Sequence, residues 1–87
     1  MATPAPTMMT EAHVLSILQQ ITGTDQVQRD LDLPLFERHV LDSLGMVELM
    51  IRLSEEFGVD ISPAEIDRAQ WASPRLIVED MQRRVGL

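Results

Sequence analysis

Apolar residues fall into three stretches with helical spacing, separated by segments without it. In the first, Val14, Ile17, Leu18 and Ile21 recur every three or four positions, with Gln19 and Gln20 on the opposite side. That spacing puts the apolar set on one face of a helix beginning near Thr10. Thr7 and Thr10 are both candidate N-caps, and Gly23 is a candidate C-cap. The strongest stretch runs from Ser43 to Phe57. Met46, Met50, Leu53 and Phe57 form a stripe broadened by Val47, Leu49 and Ile51, with Asp42 as the expected N-cap and Gly58 as the stop. Ser73-Pro74 opens a last helix to about Val85, burying Ile77, Val78, Met81 and Val85. Arg83 and Arg84 lie at its C-terminal end, where the helix dipole favours cations. A shorter helix is predicted before it from the capping box Ser62-Pro63-Ala64-Glu65, in which Ser62 bonds the Glu65 amide while Glu65 reaches back.

Between the first two stretches, residues 24–41 have no helical period and are punctuated by Asp30, Asp32 and Pro34. Leu31, Leu33, Leu35, Phe36, Val40 and Leu41 are nevertheless too apolar for a solvated loop. The alternation Asp30-Leu31-Asp32-Leu33 suits a short strand, but no second strand is available to pair with it. A long connection packing its side chains onto the helices fits better, and loops of this length are often functional. Residues 1–9, with Pro4 and Pro6, read as a flexible tail, and 10–87 as one domain. The fold class is all-α: three longer helices and one short one around a single core.

Composition narrows the function. A chain of 87 residues has room for one core. Seven basic against fourteen acidic residues, a net charge of -7, oppose binding to nucleic acid or to an anionic membrane surface. They point instead to basic patches on other proteins. There is no Cys, so disulfides, thiolate metal sites and cysteine nucleophiles are excluded. No run of eighteen apolar residues is present, and a cytoplasmic monomer without stable membrane insertion is expected. All seven basic residues are Arg, a bias that a GC-rich genome produces by itself. His13 and His39 lack metal-ligand spacing, and His13 is read as a surface residue. The adjacent Glu55 and Glu56 splay apart on a helix rather than forming an acid/base pair. No catalytic constellation emerges, and a bundle this small leaves little interior for one.

One segment stands out: Val40-Leu41-Asp42-Ser43-Leu44-Gly45. With Asp42 filling the cap, Ser43 takes the first helical position with its hydroxyl outward. Leu44 becomes an exposed apolar residue at a helix start. Gly45 costs about 1 kcal/mol relative to Ala within a helix, which a close approach by another group would explain. Ser43-x-Gly45 is half of a nucleophile elbow, but a serine without a base has an unactivated hydroxyl. It is better suited to being modified, since a phosphate ester there would meet free backbone amides and the helix dipole.

Asp42-Ser43-Leu44 heading an amphipathic helix, in an acidic chain of this length, resembles the acyl and peptidyl carrier proteins. The resemblance implies an acyl-carrier-like four-helix bundle, with the long loop between its first two helices. It also implies 4′-phosphopantetheine joined covalently to Ser43, whose terminal thiol holds cargo as a thioester. Asp42 would complete the motif and help orient a phosphopantetheinyl transferase. Leu44, Met46 and Val47 would form an apolar spot beside the arm, with Glu48, Glu55 and Glu56 facing basic partners. Those partners would be the transferase, an adenylating ligase or acyltransferase that loads the carrier, and a downstream acceptor enzyme. Leu41 to Gly45, Val47-Glu48-Leu49, Ile66-Asp67-Arg68, Trp71 and Ser73-Pro74 are together similar to the D-alanyl carriers of teichoic acid modification. Trp71 is expected to plug the junction between the last two helices, with Arg68 or Asp67 pairing locally. Many carriers have Gly two or three positions before the aspartate, where this chain has Val40 and His39. The helix after Ser43 is also less acidic than in fatty-acid carriers, because Arg52 offsets its glutamates.

The main expectation is therefore a freestanding carrier, not an enzyme, and the all-Arg composition leans it toward a polyketide or nonribosomal peptide pathway. The alternatives are a D-alanyl carrier, a small helical interaction module without a prosthetic group, and a hydrolase using Ser43.

Overall fold

Helix α1 (Glu11–Thr22) starts at Thr10, whose hydroxyl accepts the His13 amide at 3.1 Å, in a computed structural model that describes residues 10–86. This settles the choice of cap; Thr7 and the predicted tail lie outside the described residues. The helix ends at Gly23, which takes φ +77° and donates its amide to the Gln19 carbonyl. A single turn, α2 (Gln26–Arg29), interrupts the connection predicted to be without helix. Helix α3 (Ser43–Phe57) and helix α4 (Pro74–Arg84) follow, each capped at its N-terminus by the expected residue. Asp42 accepts the Gly45 amide at 2.7 Å, and the Ser73 hydroxyl accepts the Leu76 amide at 3.3 Å. The described residues are all helix, turn and loop, without a strand.

The predicted short helix is a single 3-10 turn, Pro63–Glu65. Its capping box does not form. The Ser62 hydroxyl accepts the Ala64 amide at 3.4 Å, the Glu65 amide goes to the Ser62 carbonyl, and the Glu65 carboxylate faces Arg84 at 3.6 Å. One turn is too short for the reciprocal bond, and a cation on α4 is the better partner for the carboxylate.

Helix α1 is the hub, packing against α2, α3 and α4. Val14, Ile17 and Leu18 meet Leu49, Leu53, Ile77 and Met81 in the core. Val27, Leu33, Leu35 and Leu41 bury themselves in the same cluster, so the connection is part of the core, as its apolar content requires. Its backbone polar groups then need partners away from water. The turn before α4 and the first residues of α4 supply them: the Leu35 amide donates to the Ala72 carbonyl at 2.8 Å, and the Arg75 amide donates to the Leu31 carbonyl at 2.9 Å. The Arg75 guanidinium also bonds Asp32 and holds its carboxyl below the usual carboxylate range.

Trp71 is fully buried, and its indole N–H donates to Asp80 at 2.8 Å. Burial alone would raise the Asp80 pKa, but the bonds from Trp71, Arg84 and Arg83 outweigh it and pull the carboxyl below its ordinary value. No buried side-chain polar atom among the described residues lacks a partner.

Candidate functional site

Helix α3 begins by presenting Ser43 to solvent. Asp42, in extended conformation, closes the first turn through the Gly45 amide, while its own carbonyl accepts the Met46 amide at 2.8 Å. Ser43 is therefore free of capping duty, and it is exposed. Gly45 has a steric reason to be glycine. A Cβ there would lie 2.9 Å from Leu41 Cδ1 and 3.2 Å from Asp42 Oδ1. The close approach expected from the sequence comes from the chain's own loop and cap.

Three residues before Asp42, His39 adopts φ +56°. This is the left-handed region, which glycine enters freely and few other residues do. Here the His39 amide bonds Phe36, and the Val40 and Leu41 amides both reach the Leu35 carbonyl. The tight turn thus delivers Leu41 to the core directly before the motif, with His39 accepting the backbone cost.

The Ser43 hydroxyl accepts a hydrogen bond from the Arg68 guanidinium, which comes from the turn after the 3-10 helix. Asp67 and Gln70 build that turn by exchanging side chains with each other's amides, at 2.8 and 3.0 Å. Asp67 thus pairs locally as expected, whereas Arg68 reaches back to α3. The guanidinium carbon lies 5.2 Å from the centroid of the Phe36 ring, close enough for a cation–π contact. A guanidinium cannot take the serine proton, so this neighbour does not make Ser43 a nucleophile.

Beyond Ser43, the outer face of α3 is apolar. Leu44 is 78% exposed, Val47 41% and Ile51 53%, with Glu48 and Glu55 exposed beside them. Met46, expected in the surface spot, is a correction. At 6% exposure it belongs to the core, one helical step away from the Leu44–Val47–Ile51 face. Val47 and Ile51, which broaden the apolar stripe in the sequence, lie on that outer face, Val47 in the apolar spot expected beside Ser43. Ile51 was missed as a surface residue, although its spacing of four from Val47 and seven from Leu44 carried the signal. Glu56 is tied down: its carboxylate meets His13 Nε2 at 2.9 Å, and the imidazole packs edge-on against Phe57. Arg52, expected to offset the glutamates, bonds Gln20 on α1 at 2.8 Å. Among the described residues, no group of three or more His, Asp or Glu could hold a metal ion. No helix there is long and apolar enough to cross a membrane.

Residues 12–79 match the family described as "Phosphopantetheine attachment site". The chain is also 44% identical over 70 residues to a D-alanyl carrier protein of Lacticaseibacillus rhamnosus, covering 80% of this chain and 86% of that protein. It is 36% identical over 75 residues to the D-alanyl carrier protein of Enterococcus faecalis, covering 86% and 96% respectively. D-alanyl carrier protein 2 of Lactiplantibacillus plantarum is 41% identical over 68 residues, covering 78% and 84%. With an exposed serine heading an amphipathic helix in an all-helical fold, the chain belongs to the phosphopantetheine-attachment family, as a non-catalytic carrier protein that takes a covalent 4′-phosphopantetheine from a transferase.

Proposed function

We propose that this protein is a freestanding D-alanyl carrier whose attachment site is Ser43. The observation that carries the reading is Asp42-Ser43-Leu44 at the head of α3, in a chain whose relatives are named D-alanyl carriers along nearly their whole length. The natural-product cargo expected from the all-Arg composition gives way to the amino acid in the relatives' name. An Arg bias reflects genome composition and says nothing about cargo.

The residues fit the prosthetic group. Ser43 offers an exposed hydroxyl, α3 offers the first-turn amides that Asp42 does not take, and Arg68 places a cation on the oxygen that a phosphate ester would share. When bound, 4′-phosphopantetheine supplies a thiol on a long arm that holds the aminoacyl group as a thioester. The chain's own part is presentation. Asp42 and Gly45 hold the helix start rigid, so the arm has one origin. Leu44, Val47 and Ile51 give partner enzymes an apolar anchor, and Glu48 and Glu55 steer their basic patches to it. Charge steering mainly raises association rates, which suits a shuttle that must release each partner in turn. The partners in this reading are a phosphopantetheinyl transferase, a D-alanine-adenylating ligase and an acceptor enzyme.

The test is intact mass after incubation with coenzyme A and a broad-specificity transferase, followed by ATP, D-alanine and a D-alanine-adenylating ligase. The expected result is gain of one phosphopantetheinyl group and then one alanyl group, both absent in Ser43→Ala. No gain, or a gain that survives the substitution, removes Ser43 as the site. A holo form refused by the ligase keeps the carrier but overturns the cargo.

A further inference from the structure

Arg68 connects Ser43 to a feature outside the motif. Beside its guanidinium lies an open groove of about 230 Å³, lined by Pro34, Phe36, Glu37, Arg68, Ala69 and Ala72. One wall comes from the long connection and the other from the turn before α4, so residues far apart in sequence form it. Apart from Glu37 and Arg68, the lining side chains are apolar. The guanidinium sits between the two features, donating to the Ser43 hydroxyl while stacked near the Phe36 ring. Among the described residues Arg68, like Arg38 and Arg52, has no carboxylate within ion-pair distance, whereas Arg29, Arg75, Arg83 and Arg84 each have one. This cation is held in place without a counter-charge.

We propose that Arg68 clamps the phosphodiester on Ser43, and that the groove behind it receives the branched, dimethyl-bearing segment following the phosphate in the arm. The inference rests on Ser43 as the attachment site. A guanidinium has five N–H donors in a planar fork, and the serine hydroxyl uses one of them. A phosphate on the same oxygen provides charged acceptors to which the fork bonds more strongly than to a neutral hydroxyl. Phe36 limits the swing of the guanidinium, so the phosphate is drawn toward the loop rather than toward the Leu44–Val47–Ile51 face. One methylene beyond the phosphate oxygen, the arm carries a quaternary carbon with two methyl groups, which the apolar walls accommodate. Glu37 repels the phosphate from its own part of the groove, leaving the Arg68 end as the anionic subsite. The arm is thereby docked near its root, and the face used by partner enzymes stays uncovered.

The experiment compares apo and holo forms of the full chain by NMR, with intact mass read first. In the wild type, the expected changes on modification extend from residues 42–47 to the amides of Phe36, Arg68, Ala69 and Ala72, with cross-relaxation from the arm's methyl groups to the Phe36 ring. In Arg68→Ala the changes at residues 36, 69 and 72 are lost and the phosphorus resonance narrows toward that of a freely moving diester. Arg68→Lys restores part of the shift pattern, because charge remains without the fork. Ala69→Leu, at an exposed position, removes the methyl contacts while leaving the phosphate shift. A holo wild type whose changes stop at residues 42–47, or an Arg68→Ala holo form that keeps the distant changes, overturns the inference and leaves Ser43 untouched. Absence of any mass gain overturns the attachment reading itself.

Discussion

Two side chains three positions apart, Arg68 and Trp71, both reach distant partners, and the two links are built for opposite purposes. Trp71 turns inward and donates to Asp80, which also receives Arg84 at 3.0 Å and Arg83 at 3.3 Å. Its buried polar atoms all have partners within the chain, and only the Arg83 end of the knot faces solvent. Arg68 turns outward to an exposed hydroxyl on a surface where water competes for each bond. Such a link contributes little to stability but changes readily when its acceptor changes. One turn, held by Asp67 and Gln70, thus anchors the core with one residue and serves the site with another.

The largest expected effect tests the buried half. Asp80→Ala leaves the buried Trp71 indole without its acceptor and Arg84 with only the longer contact to Glu65, and should cost about 2–4 kcal/mol of unfolding free energy in a denaturant titration. A loss equal to that of an ordinary surface substitution would erase the contrast. The same carboxylate predicts a pH dependence. Its folded pKa lies below the ordinary value, so its contribution is present above that ordinary value, about 3.9. The contribution is lost as pH falls through the folded value. Denaturant midpoints below about pH 4 should therefore fall less steeply in Asp80→Asn than in the wild type. Equal slopes would assign the acid sensitivity elsewhere.

The next two effects probe the approach to Ser43. Gly45→Ala must displace Leu41, itself buried, or the Asp42 cap, and should destabilise by about 1–2 kcal/mol despite alanine's better helix propensity. A stabilised variant would show that the loop yields easily. His39→Gly relieves a left-handed backbone and should gain up to about 1 kcal/mol, net of the extra freedom of the unfolded glycine chain. The smallest effect sharpens the comparison most: Arg68→Ala should leave the apo protein's stability within about 0.5 kcal/mol. A larger loss would make Arg68 a structural residue like Trp71.

The long connection and Gly45 show where local reading succeeds. The leucines of residues 31–41 had to be buried whatever the path of the backbone, because so much apolar surface without a helical period cannot remain in water. Gly45 broke the helical preference of its neighbours, and such a local cost signals a contact. The failures have a common cause. Met46 is buried, as its place on the stripe requires and its place in the surface spot does not, and Ile51 is exposed, because an amphipathic stripe broadened to half a helix does not say where the core ends. Glu65 fits a capping box by pattern, but a cation 19 positions later, Arg84, is the partner it meets.

What the sequence determined by itself is everything that depends on neighbours within a turn or two. The caps at Asp42 and Ser73, the outward Ser43 and the three long helices are of this kind, because capping and periodicity are short-range physics. Only the tertiary structure decided that Arg68 lies on Ser43, that Phe36 and Ala72 face each other across a groove, and that Asp80 is buried under Trp71. Those contacts join residues 9 to 36 positions apart, and their geometry depends on how α1 gathers the other helices around one core.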